Sequence, residues 1–100
     1  MKKRRSTYIR VLGKRTRLRF TKDLPAGVDG ECDDPSVPNG EIRIREGLSP
    51  ERELEVIIHE YKHRADWHKC EEFITQTSEE LAAIVIQQGW RKCFEPGSGE

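Results

Sequence analysis

Residues 8–20 alternate, YIRVLGKRTRLRF, with apolar side chains recurring at every second position on either side of Gly13. A period of two is that of a half-buried strand, and the central glycine predicts a hairpin. With Gly13 and Lys14 as a two-residue turn, glycine first, Leu12 faces Arg15, Val11 faces Thr16, Arg10 faces Arg17 and Ile9 faces Leu18. This register gathers Ile9, Val11, Thr16 and Leu18 on one face and the basic residues on the other. It also sets Arg10 against Arg17, a like-charge pair that an acid is expected to relieve. The following stretch, DLPAGVDGECDDPSVPNGE, is rich in Gly, Pro and Asp, carries neither period and reads as a long loop. EIRIR then alternates again as a third strand, with Ile42 and Ile44 inward and Arg43 and Arg45 outward.

From Ser49 the period becomes helical. Ser49 is a good N-cap, Pro50 suits the first helical position, and Glu51 and Glu53 complement the helix N-terminus. The apolar stripe expected on this helix is Leu54, Ile57, Ile58, Tyr61 and Ala65. A break at His68, Lys69 and Cys70 precedes a second helix, whose expected stripe is Phe73, Thr77, Leu81, Ile84 and Val85 and whose natural stop is Gly89. The predicted fold is α+β, a three-stranded antiparallel sheet (hairpin plus third strand) packed on two C-terminal helices. One domain is expected over 8–94, with a basic flexible N-terminus at 1–7 and a disordered tail at 95–100.

Composition refines this picture. The chain has 100 residues, 34% hydrophobic and 36% charged, which allows one small core. No apolar run is long enough to span a bilayer, and MKKRR is not followed by a signal-peptide core, so no membrane partner and a cytoplasmic location are expected. Cys32, Cys70 and Cys93 are an odd set without a CxxC pair, which argues against a disulfide framework or a cysteine zinc finger. Cys70 reads as a small apolar residue more readily than as a ligand. The net charge of zero conceals an asymmetry, because residues 1–22 hold ten of the eighteen basic residues and none of the eighteen acidic ones. Such a segment is a candidate footprint for nucleic acid, or it pairs with the chain's own acidic remainder.

The candidate chemistry is HEYKH at 59–63. At about 100° per residue, His59 and His63 lie one turn apart and about 40° around the axis from each other, so both imidazoles reach one metal. Glu60 lies about 60° beyond His63, placed to accept a proton from a metal-activated water without being a ligand. A catalytic zinc site takes three protein ligands and keeps a fourth position open. The extended HExxHxxGxxH pattern fails, since Asp66 and Lys69 occupy the later positions, and a carboxylate of the second helix remains. Antiparallel pairing that turns near His68 sets His63 opposite residue 73, which selects Glu72 as third ligand with Glu79 in reserve.

The segments GECDDP, IRIREGLS, HEYKHRADWHKCEEFI and QQGWR together resemble small zincin-type metallopeptidases, nearest to the compact phage and bacterial proteins related to the ImmA/IrrE group. The resemblance implies a twisted antiparallel sheet over the HExxH helix, zinc held by His59, His63 and a downstream glutamate, and Glu60 as general base for peptide hydrolysis. The chain departs from larger zincins in having no helix before the strands. The expected function is thus a zinc-dependent metallopeptidase acting on a peptide or protein substrate. An extended substrate would pair along the edge of EIRIR, where Arg43 and Arg45 would favour acidic side chains. The alternative is a nucleic-acid-binding or protein-interaction module with a structural zinc.

Overall fold

The computed structural model describes residues 6–90. Residues 1–5, residues 91–94 of the expected domain and the expected tail at 95–100 lie outside the described residues. Six elements follow in order: β1 (Ser6–Val11), β2 (Lys14–Thr21), β3 (Gly30–Cys32), β4 (Glu41–Arg45), α1 (Pro50–Ala65) and α2 (Glu71–Gln87). Ser6 and Thr7, expected in the flexible N-terminus, already belong to β1.

The hairpin is present with a turn one residue earlier than expected. Leu12 and Gly13 occupy its two central positions at φ 50° and 81°, the left-handed pair of a type I′ turn. Val11 therefore faces Lys14, Arg10 faces Arg15 and Ile9 faces Thr16. Each residue's partner moves by two positions, an even step that leaves every side chain on its expected face. Val11, Thr16, Leu18 and Phe20 are buried accordingly.

The sheet has four strands in the order β1-β2-β4-β3, with β4 parallel to β2 and antiparallel to β3. This corrects the expected three-stranded antiparallel sheet. β3 is only three residues long, too short to show a period, and it lies inside the segment read as a loop. Because the chain returns through β3, β4 enters beside β2 running in the same direction. Leu18, Phe20, Ile42 and Ile44 form the inner face and pack on Val56 of α1. On the outer face, Arg43 pairs with Glu31 at 2.8 Å and with Asp33 and Glu41 at 3.0 Å, while Glu41 also takes Arg19 at 2.9 Å. Arg19 and Arg43 are neighbours across β2 and β4, and Glu41 relieves that like-charge contact.

α1 starts as expected, with Ser49 as N-cap accepting from the Arg52 N–H and Pro50 in the first turn. Its buried face is different: Glu53, Val56, Glu60 and Arg64 are turned inward, while Leu54, Ile57, Ile58 and Ala65 are half-buried and Tyr61 is exposed. Arg64 is only 6% exposed, and its guanidinium donates to the backbone carbonyls of Asp33, Asp34 and Val37. A Cβ on Gly40 would come within 2.6 Å of that guanidinium, so glycine lets the loop after β3 close over it. α2 packs on α1 and on none of the strands. It does so through Ile74, Ser78 and Ala82, and the expected stripe residues Phe73, Leu81 and Ile84 are exposed. The apolar side of α2 is therefore turned about 100° away from its helix partner.

Candidate metal centre and cleft

His59 and His63, one turn apart on α1, bring their Nε2 atoms to 3.1 Å of each other. The carboxylate that joins them is that of Glu71, with one oxygen 3.0 Å from His59 Nε2 and the other 2.9 Å from His63 Nε2. Glu72, the expected third ligand, is exposed and does not join the converging groups. The reason lies in the face of α2. Glu71 shares the side that carries Ile74 and Ser78, the residues buried against α1, whereas Glu72 is turned a further 100° around the axis. The pairing that set His63 opposite residue 73 fixed the level along α2 but not the face, and the face brings Glu71 to the histidines. Glu79 lies elsewhere, on the wall of an adjoining cleft, and Cys70 and His68 stand outside the group.

Four atoms converge here, two imidazole nitrogens and both oxygens of one carboxylate, with each of the three contacts about 3 Å long, near the ligand–ligand separation around a metal with bonds of about 2.0–2.1 Å. Two neutral imidazoles facing each other through Nε2 and sharing one carboxylate lack the protons to satisfy every contact. A cation satisfies all three, so the donor set fits zinc. Burial holds the His59 imidazole below its ordinary pKa, against the raising pull of Glu71 and with help from His63, and this favours the neutral ring that a metal needs. His59, His63 and Glu71 form the sole such group among the described residues.

Glu60 stands beside this group and under β3. It is 7% exposed, and burial pushes its carboxyl above the ordinary range although the charge of His63 and a hydrogen bond from the Cys32 thiol pull it down. Burial, then the Glu60 charge, pushes the Cys32 thiol up to about 12, so the thiol stays protonated and donates. A Cβ at Gly30 would meet Val56 Cγ1 at 2.5 Å and Glu60 Oε2 at 3.3 Å. Only glycine lets the strand lie this close over the carboxylate. The cleft in front of Glu60 holds about 390 Å³ between Asp29 and Gly30, the α1 residues Arg52, Glu55, His59 and Glu60, and Thr75 and Glu79 of α2.

Sequence reasoning missed Glu71, Cys32, Arg64 and the closeness of Gly30 to the site. GECDDP carried the one available signal, a glycine and cysteine two apart, the spacing that places both on one face of a strand. The edge assignment is corrected too. β4 is an inner strand, Arg43 is neutralised on the opposite face, and Arg45 donates to the carbonyls of Leu24, Pro25 and Val28. No family model, no curated protein and no solved structure matches the chain.

Proposed function

We propose that this protein is a zinc-dependent hydrolase of peptide bonds, with His59, His63 and Glu71 holding the metal and Glu60 as general base. One observation carries the reading: a buried carboxylate stands next to three convergent metal donors, at the mouth of a cleft and under the free edge of a sheet. A zinc ion bound there supplies a water of pKa about 7 and a Lewis acid for the substrate carbonyl. Glu60 accepts a proton from the attacking water and returns it to the leaving amine nitrogen. The Cys32 thiol fixes the orientation of the Glu60 carboxylate, and burial brings its basicity closer to the working pH.

β3 supplies the substrate's track. Asp29 accepts from the Arg45 N–H, and the Asp33 N–H donates to Glu41, so these residues face β4. By the alternation of an antiparallel ladder, the N–H and C=O groups of Gly30 and Cys32 face the open edge. An extended peptide adds there as a fifth strand, with its carbonyl beside the metal donors. The cleft wall carries Asp29, Glu55 and Glu79, and Arg52 offsets two of them by pairing with Asp29 at 3.0 Å and Glu55 at 2.7 Å. Glu79, which has no basic partner among the described residues, favours basic side chains near the scissile bond, the opposite of the preference expected from Arg43 and Arg45.

A structural zinc site closes its fourth position with protein, whereas His59, His63 and Glu71 are joined by no fourth donor among the described residues. This favours catalysis over a purely structural metal. The test is zinc content together with cleavage of a peptide library, with and without chelator. Glu71→Gln should lose the metal and Glu72→Gln keep it. Glu60→Gln should retain zinc and lose about 10²–10⁴-fold in turnover. A wild-type protein that binds zinc and cleaves no peptide would leave the hydrolase reading without support.

A further inference from the structure

The arginines on the sheet's outer face fall into two sets. Arg19 and Arg43 are fully employed, tied by Glu31, Asp33 and Glu41 into one network. Arg10, Arg15 and Arg17, on the outer face of the β1–β2 hairpin, have no carboxylate partner among the described residues, and all three are exposed. Arg10 and Arg15 are direct cross-strand neighbours, a like-charge contact that costs stability unless an anion is present. Arg10 spends one N–H on the Gly13 carbonyl at 3.0 Å, which holds its guanidinium in place and leaves its other donors free.

An aromatic ring stands within this basic patch. Tyr8 faces Arg17 across the hairpin, is 54% exposed, and has the Arg15 guanidinium stacked 3.9 Å from its ring centroid. Tyr8, Arg15 and Arg17 line a pocket of about 220 Å³ with Asn39, Gly40 and Glu41. Glu41 is the one acid in that wall, and Arg19 and Arg43 already neutralise it.

We propose that the outer face of the β1–β2 hairpin binds single-stranded nucleic acid, with phosphates on Arg10 and Arg17 and an unpaired base stacked against the Tyr8–Arg15 pair. Guanidinium groups on the two neighbouring strands of the hairpin offer donors to successive phosphates, a half-exposed ring flanked by arginine is a stacking platform, and Asn39 offers both a donor and an acceptor to a base edge. Duplex bases are already stacked and paired, which disfavours double-stranded partners. An anionic membrane would need apolar residues to insert around the charge, and the hairpin offers Leu12 alone at its tip. The surface lies on the opposite side of the sheet from the metal donors, so it stands whether or not the protein is a hydrolase.

The experiment is fluorescence anisotropy with the full chain and labelled oligonucleotides of one sequence as single-stranded DNA, single-stranded RNA and duplex DNA, at about 50 to 200 mM salt. Vesicles containing phosphatidylserine serve as the competing anionic surface. Tyr8→Ala should weaken single-strand binding about tenfold with the salt slope unchanged, and Tyr8→Trp should restore it. Replacing Arg10, Arg15 and Arg17 together by Ala should reduce the salt slope by about 2. Lys69→Ala, the loss of a single positive charge on the connection between the helices, should change neither, and thermal midpoints establish that each variant is folded. The stronger of the DNA and RNA arms identifies the natural strand. The proposal is overturned if duplex binds as tightly as single strand, if vesicles bind and oligonucleotides do not, or if folded Tyr8 and arginine variants bind as wild type does.

Discussion

The two edges of the sheet are held in opposite ways. β1 is held by its neighbour in sequence, and all its strand partners lie between Lys14 and Arg19. β3 is held from a distance: by β4, by the Arg43 pairs to Glu31 and Asp33, by the Arg64 clamp on the carbonyls of Asp33, Asp34 and Val37, and by the fit of Gly30 on Val56 and Glu60. A self-supporting edge leaves its outer side chains free for other work, and the arginines without a carboxylate partner among the described residues are there. A dependent edge takes its position from α1, the helix that carries Glu60 and both histidines. Strand edge and metal donors therefore share one reference.

Four substitutions or conditions bear on this contrast. Arg64→Ala removes a buried cation bonded to three carbonyls and should cost about 3 kcal/mol, lowering the thermal midpoint by more than about 10 °C. The loss should appear as faster amide exchange in β3 while β1 and β2 keep their protection, and equal acceleration in both edges would mean that they are not independent. Gly30→Ala overpacks the strand against Val56 and Glu60 and should cost about 1–3 kcal/mol, read from the denaturation midpoint.

Acid should act on the same edge. Burial raises the Asp33 and Glu41 carboxyls, but hydrogen bonds and charge from Arg43, from the Glu41 N–H to Asp33 and from Arg19 to Glu41, hold both below their ordinary 3.8 and 4.5. A depressed folded-state pKa adds stability that is complete above the unfolded value and disappears as pH falls through the folded one. Thermal midpoints should therefore drop below about pH 4.5, with a shallower drop in Arg43→Gln. The smallest effect belongs to the self-supporting edge. Leu12 holds a left-handed conformation at φ 50°, which disfavours a bulky L-residue, so Leu12→Asn should raise stability by up to about 1 kcal/mol. No gain in the midpoint would show that the turn carries no such strain.

The same contrast separates what could be read in the sequence from what could not. The hairpin, the β4 segment, the cap at Ser49 and the pairing of His59 with His63 follow from local periodicity and turn chemistry, and the structure has all four. β3 has no period to show, and its place depends on Arg64, thirty-one residues from Asp33 in sequence. The helix faces were misread for one shared reason. Apolar content pointed to Tyr61, Phe73, Leu81 and Ile84, yet the inward positions include Glu53, Glu60 and Arg64, charged groups whose burial only tertiary partners permit. Glu71 is one position away from the residue chosen, a difference that the pairing level along the helix does not resolve and the helix face does.

The attachment of α2 has a consequence for time as well as for shape. Because α2 meets no other element than α1 among the described residues, it can open while the sheet and α1 stay together. One of the three donors, Glu71, travels with it, whereas His59 and His63 remain on the standing helix. If the proposed metal binds there, its exchange is gated by a local opening far shallower than global unfolding. A bound ion in turn lengthens the closed lifetime of α2, so the loaded and unloaded proteins should differ most in the exchange rates of the second helix and least in those of the strands.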